Sequence, residues 1–85
     1  MAASVRVRFY ATARLATGTA QVELPVPGQG ISARDLLSEL AREYPKLRRV
    51  LGASRFLRND RYLTDLAERL APGDQFAVHP PYGGG

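Results

Sequence analysis

Ile31-Ser32-Ala33-Arg34-Asp35-Leu36-Leu37-Ser38-Glu39-Leu40-Ala41-Arg42-Glu43-Tyr44-Pro45 is the clearest helix signal in the chain. Leu36, Leu37, Leu40, Ala41 and Tyr44 recur at helical spacing and form one apolar stripe. Ser32 is placed to cap the first turn, because its hydroxyl can accept from an otherwise unpaired amide. Asp35 follows at the third helical position, where a carboxylate meets the positive end of the helix dipole. Ile31 and Leu36 have the spacing of a hydrophobic staple. Pro45 forbids much continuation. The expected helix runs over about Ser32 to Tyr44, and it has to lie on something apolar.

Upstream, Val5-Arg6-Val7-Arg8-Phe9-Tyr10 alternates with period two, the pattern of a half-buried strand. Ala11 to Gly18 reads as weakly helical or as a broad loop that Gly18 can end. Val22, Leu24 and Val26 alternate again, and Pro25 and Pro27 mark an edge strand. Downstream, Lys46 to Ser54 is a basic connection. Phe56-Leu57-Arg58 reads as a short strand, Asn59-Asp60 as its turn and Tyr62-Leu63 as the return. Leu66 and Leu70 suggest a short helical turn. Pro72-Gly73-Asp74 is a turn signal, and Gln75 to His79 is a last strand with Phe76 and Val78 inward. The order strand, strand, helix, short strand pair, strand is α+β, a mixed sheet of four to five strands covered by one main helix. If the first and last strands are parallel neighbours, the helix supplies the long crossover they need. That arrangement is the β-grasp, the fold of ubiquitin.

At 85 residues there is material for one small domain and a thin core. The 45% apolar and 24% charged content is that of a globular chain. Twelve Lys and Arg against eight Asp and Glu give +4, and Lys46 is the only lysine among the twelve cations. That balance favours acidic partners without declaring a nucleic-acid binder. Cysteine is absent, which excludes disulfides, thiolate metal sites and a Cys nucleophile. Met1-Ala2-Ala3-Ser4 leads into a charged strand without the apolar run of a signal peptide, and no window approaches the ~18 apolar residues of a membrane span. A cytoplasmic protein with no membrane partner is expected.

One histidine, His79, and scattered carboxylates offer neither a metal cluster nor an acid–base pair. The domain is not expected to be catalytic alone, and no bound cofactor or metal is expected. His79 reads as a surface residue of the last strand. Gly28-Gln29-Gly30-Ile31-Ser32-Ala33 fits a dinucleotide-binding G-x-G-x-x-A, but no acidic residue stands near Val50–Ala53, about 20 residues on, where such a site needs one. A turn followed by a capped helix is the better reading. Arg6, Arg8, Arg48, Arg49, Arg55, Arg58 and Arg61 could surround the solvent face of the sheet, with Tyr10 and Tyr62 as stacking platforms. No recognition helix accompanies them, and no nucleic-acid partner is expected. Phe56 and Leu57 are adjacent, so only one can face the core. The other suggests a protein-binding face beside Arg58. Leu57, Arg58, Tyr62 and His79 are its candidate residues.

The C-terminal Pro80-Pro81-Tyr82-Gly83-Gly84-Gly85 stands apart. Residues 1–80 read as the β-grasp domain and 81–85 as a flexible tail. Pro81 to Gly85 reach at most about 17 Å at ~3.3–3.6 Å each. Such an arm suits a narrow tunnel in another protein, since each glycine lets backbone pass where a Cβ would collide. An unhindered terminal carboxylate can attack the α-phosphate of ATP.

The sequence resembles the ubiquitin-like sulfur carriers, specifically the small subunit of molybdopterin synthase (the MoaD type of the MoaD/ThiS family). The likeness rests on Val5 through Arg14 with Gly18 after it, Tyr44-Pro45-Lys46-Leu47, Asn59 in its turn, Pro72-Gly73-Asp74, and Pro80 through Gly85. The resemblance implies that a MoeB-like adenylating enzyme of the ubiquitin-activating type uses ATP to adenylate Gly85. It implies that a sulfurtransferase system then makes a C-terminal thiocarboxylate. The tail would enter a MoaE-like large synthase subunit and donate sulfur to precursor Z, building the dithiolene of molybdopterin. In that cycle Gly85 carries the sulfur, Gly83 and Gly84 permit threading, and Pro81 and Tyr82 set the exit of the arm. A carrier for thiamin, cysteine or tRNA thiolation, and a ubiquitin-like protein modifier, share these features. An Arg-driven RNA-binding module is a third reading.

Overall fold

Alternation in Ser4–Phe9 (β1) buries Val5, Val7 and Phe9 and leaves Arg6 and Arg8 to solvent, so this strand has a dry face and a wet one. The computed structural model describes residues 3–81. The expectations placed on Tyr82, Gly83, Gly84 and Gly85 lie outside the described residues. β1 pairs antiparallel with Gln21–Pro25 (β2) and parallel with Gln75–His79 (β7). β7 also pairs antiparallel with Arg55–Arg58 (β4), which returns through Arg61–Tyr62 (β5). The sheet order is β2-β1-β7-β4-β5, with the first and last strands parallel at its centre. This is the β-grasp.

Helix α2 (Ala33–Glu43) covers the dry face and buries Ala33, Leu36, Leu37 and Leu40 in one core with Val5, Val7, Phe9, Phe76 and Val78. Ser32 caps it, its Oγ accepting from the Asp35 amide at 3.1 Å. The segment that read as weak helix or loop is a helix, Ala11–Thr17 (α1), closed by Gly18 in the left-handed region. It buries Ala13. The basic connection holds a 3-10 turn, Pro45–Leu47, and a short helix, Arg48–Leu51 (α3), with Leu47 buried beneath them.

The helical turn expected around Leu66 and Leu70 is not there. Arg69–Leu70 (β6) is a two-residue strand, antiparallel to Ile31–Ser32 (β3). Leu70 is buried in the core, and the Ala33 and Arg34 amides donate to the Glu68 and Leu66 carbonyls. The start of α2 is therefore tied to the strand beside it.

That tie explains Gly30. Its φ is +89°, and a Cβ there would lie against the Leu70 carbonyl oxygen, far inside contact distance. Gly30 serves this close approach, in keeping with the turn read from the sequence in place of a nucleotide loop. Gly30→Ala combines left-handed strain with a backbone overlap and should destabilise the fold by about 2 kcal/mol. Urea denaturation checks this, and Gly28→Ala is the control, since nothing lies within 4 Å of a Cβ at Gly28.

The β4–β5 hairpin turns on Asn59 and Asp60, with φ of 49° and 69°. Positive φ at both central residues matches the twist of a two-residue hairpin. Asp74, just before β7, pins this turn. Its Oδ2 accepts from Arg58 Nε at 2.9 Å and the Ala71 amide at 2.7 Å, and its Oδ1 from Asn59 Nδ2 at 3.1 Å. Arg58 Nη1 also donates to Glu68 at 3.1 Å. Burial by itself would raise the Asp74 carboxyl. The bonds from the Ala71 amide, Asn59 and Arg58 outweigh it and hold the group below its ordinary value. Bonds to Glu68 and then Asp74 raise the Arg58 guanidinium against a smaller opposing cost of burial, so it stays a cation.

Candidate functional site

Among the described residues, no helix covers the wet face of the sheet, since α2 packs on the dry one. Strand pairing lines up Gln21, Arg8, Ala77, Leu57 and Tyr62 across the five strands on that face. Ala77 falls there because its neighbours Phe76 and Val78 point into the core. Parity divides β4 the same way. Phe56 stacks on Phe76 in the interior, at 5.6 Å between centroids, and Leu57 turns outward beside Ala77. One of the two adjacent apolar residues thus faces out, half-buried among its neighbours.

A second row lies nearer the exit of the chain. His79 is opposite Arg55, and the Tyr10 ring stacks on His79 at 4.3 Å. The Arg55 guanidinium lies 5.9 Å from the centroid of Tyr62, which is 64% exposed. Ala53, Arg55, Tyr62, His79, Pro80 and Pro81 line an open groove of about 450 Å³. The chain leaves β7 through this groove. Pro80 and Pro81 have no N–H to extend a ladder, so the strand stops here.

The structure thus brings Leu57, Tyr62, His79 and Pro81 onto or beside one face. It does not bring Arg58 there. Arg58 alternates with Leu57, points to the opposite side and is held by Asp74 and Glu68. The arginine surface expected from sequence is also smaller. Arg6, Arg8 and Arg55 belong to the wet face. Arg61 pairs with Arg58 on the other side, and Arg48 and Arg49 lie on α3. Arg6 forms a half-exposed ion pair with Glu23 at 3.2 Å, worth little by itself. Tyr10, Arg8, Arg55 and Ala77 were not assigned to the docking residues from sequence. Counting strand parity outward from Phe76 and Phe56 would have found Ala77 and Arg55.

An apolar centre flanked by aromatic rings and guanidinium groups is the chemistry of a protein-binding surface. Among the described residues, no group of three or more His, Cys, Asp or Glu is placed to hold a metal ion. No described helix is long and apolar enough to cross a membrane.

The ThiS family profile matches residues 7–85. The chain belongs to the ThiS family of ubiquitin-like sulfur carriers. Within that family it is 31% identical to the molybdopterin synthase sulfur carrier subunit of Aedes aegypti, over 95% of this chain and 88% of that one. The small archaeal modifier protein SAMP1 of Haloferax volcanii has a similar structure, with a TM-score of 0.83 and 30% identity. The match covers 96% of this chain and 99% of that one. The fold is also that of a chain in the complex of subunits 1 and 2 of the molybdopterin-converting factor from Helicobacter pylori. There the TM-score is 0.71 at 23% identity, covering 96% and 99% of the two chains.

Proposed function

We propose that this ThiS-family domain carries sulfur on its C-terminal glycine for molybdopterin synthesis. The observation that supports the reading is a family match over residues 7–85, together with a last strand that leads into Pro80 and Pro81 beside the open sheet face. The wet face binds a partner, and the tail brings one reactive carbonyl to that partner's active site.

The chemistry follows from the carboxylate. An adenylating enzyme of the ubiquitin-activating type holds ATP, and an oxygen of the Gly85 carboxylate attacks its α-phosphate, releasing pyrophosphate. The terminal sulfur of a sulfurtransferase persulfide then attacks the acyl-adenylate carbonyl, and AMP leaves with its bridging oxygen. A thiol cleaves the resulting acyl disulfide and is itself oxidised to a disulfide. The product is a thiocarboxylate. The large synthase subunit receives the tail, and the sulfur passes to precursor Z. The Helicobacter pylori structure of like fold is a complex of subunits 1 and 2 of the molybdopterin-converting factor, and with the identity to a molybdopterin synthase sulfur carrier subunit it is in keeping with a large-subunit partner here. The carrier acts in the cytoplasm, binds no cofactor itself and leaves catalytic side chains to its partners.

A second reading is conjugation of Gly85 to lysines of other proteins, favoured by the likeness to an archaeal modifier protein. Intact mass after co-expression with the cognate adenylating enzyme and a sulfur source separates the two. The carrier reading expects a free species heavier by the difference between one sulfur and one oxygen atom. Unchanged mass of a chain that is demonstrably adenylated, with isopeptides on other proteins, would overturn it.

A further inference from the structure

An acidic-lined groove lies away from the open sheet face. Val22, Glu23, Leu24, Pro25, Glu39, Glu43 and Tyr44 line a groove of about 430 Å³ between β2 and α2. Its apolar floor is Val22 and Leu24, on the core side of β2, with Tyr44, whose ring meets Phe9 edge-on at 5.8 Å. The acidic side belongs to α2. Glu39 and Glu43 are four residues apart and share one helix face, where like charges oppose each other. Arg42 meets Glu39, through a side chain that is itself 75% exposed. In a protein of net charge +4, the groove is lined by three carboxylates and no cation, with Glu23 paired to Arg6 and Glu39 to Arg42 at its rim and Glu43 outside those pairs.

Among the described residues, β2 is an edge strand, paired with β1 alone. The Phe9 and Val26 amides donate to the Ala20 and Ala3 carbonyls, which fixes the hydrogen-bonding parity of the pair. Val22 and Leu24 therefore bond inward to β1, and the backbone groups of Gln21 and Glu23 point outward. A chain added at this edge would direct alternate residues toward α2. Pro25 limits the pairing to a short stretch.

We propose that the β2–α2 groove binds an extended basic-apolar segment of a partner protein. One apolar side chain covers Val22, Leu24 and Tyr44, and flanking Lys or Arg side chains meet Glu39 and Glu43. A second copy of this chain is disfavoured, because twofold pairing of β2 with β2 brings two acidic rims toward each other. The site faces away from Leu57, Ala77 and Tyr62, so it remains open when the sheet face is occupied. It does not rest on the sulfur-carrier reading.

The test titrates the full chain with a synthetic Lys-Val-Lys-Val-Lys-Val peptide, followed by amide chemical shifts, with Glu-Val-Glu-Val-Glu-Val as control. Saturable shifts confined to residues 20–26 and 39–44, with the basic peptide only, are expected. The double variant Glu39→Lys/Glu43→Lys keeps the fold by circular dichroism and weakens binding about tenfold, from the loss of two favourable charge contacts and the gain of two repulsive ones. Gln21→Pro removes one outward amide from an edge strand, and it too weakens binding. Shifts on the wet face, equal binding of both peptides, no saturable binding, or self-association mapping to β2 would each overturn the proposal.

Discussion

A chain cut after Gly83 should fold as the full chain does and carry no sulfur. The buried side chains of the core come from Val5 to Val78, and β7 ends at His79. Losing Gly84 and Gly85 therefore changes stability by no more than about 0.5 kcal/mol, the range of substitutions away from the core. Activity is another matter. On the proposed function, an adenylating enzyme has to meet a carboxylate at one distance from the candidate face, and shortening the arm by two residues withdraws it by about 7 Å. ATP–pyrophosphate exchange with the cognate enzyme should fall to background, and molybdopterin formation with the large subunit should stop. Gly84→Val sharpens the point, because it keeps the length and the carboxylate and adds only a side chain. Misplacing the reacting carbonyl by an ångström in a tight channel costs roughly a hundredfold in rate. Leu57→Asp fails differently, losing partner affinity with the tail intact. If the truncated chain still supports molybdopterin formation, the sulfur-carrier reading fails. The Arg-driven RNA reading predicts the opposite pattern, since RNA binding survives the truncation.

The sequence revealed the parts of this fold that repeat. β1 shows three buried positions at period two, and α2 shows four buried positions with a cap at Ser32, so both pattern and boundary were visible. β6 has two residues and no period. Leu70 is spaced from Leu66 as on a helix, yet it is held by pairing with Ile31, a partner 39 positions away that local pattern does not report. Gly30 shows the same limit. Its place before the helix was legible, but the Leu70 carbonyl that demands glycine was not. Arg58 is a different case. Strand parity separates Phe56 from Leu57, and one further step puts Arg58 with Phe56, toward the side where Asp74 and Glu68 wait. The candidate face was half visible for that reason. Leu57, Tyr62 and His79 follow from alternation, whereas the Tyr10 stack on His79 needs β1 and β7 to be known as neighbours.

Asp74→Ala should cost about 2 kcal/mol, as loss of the shared acceptor of a half-buried hydrogen-bonded network does. The Asp74 side chain is 16% exposed and that of Arg58 27%, so solvent screens the pair only in part. Without the carboxylate, the Ala71 amide and Asn59 Nδ2 lose their acceptor, and Arg58 keeps only Glu68. For a domain of this size the melting temperature should drop by about 10 °C. The effect is tied to pH with a definite sign. The folded carboxyl is held below its ordinary value of 3.8, so its contribution is fully present above that value and fades as pH falls through the lower folded one. The gap in melting temperature between the parent and Asp74→Ala should therefore be constant near neutrality and close in acid. Arg58 stays charged throughout and adds no slope of its own. Asp74→Asn keeps one acceptor and the shape, so it should fall between the two, and its own gap to Asp74→Ala should not change with pH, while the gap from the parent to Asp74→Asn also narrows in acid. A gap that stays constant into strong acid would mean that the carboxylate's charge is not what pins the turn. The network also bears on the proposed function. Asp74 fixes the first residues of β7, and the other end of β7 leads into Pro80 and Pro81, so parent-like sulfur transfer by the folded fraction of Asp74→Ala would confine the network's role to stability.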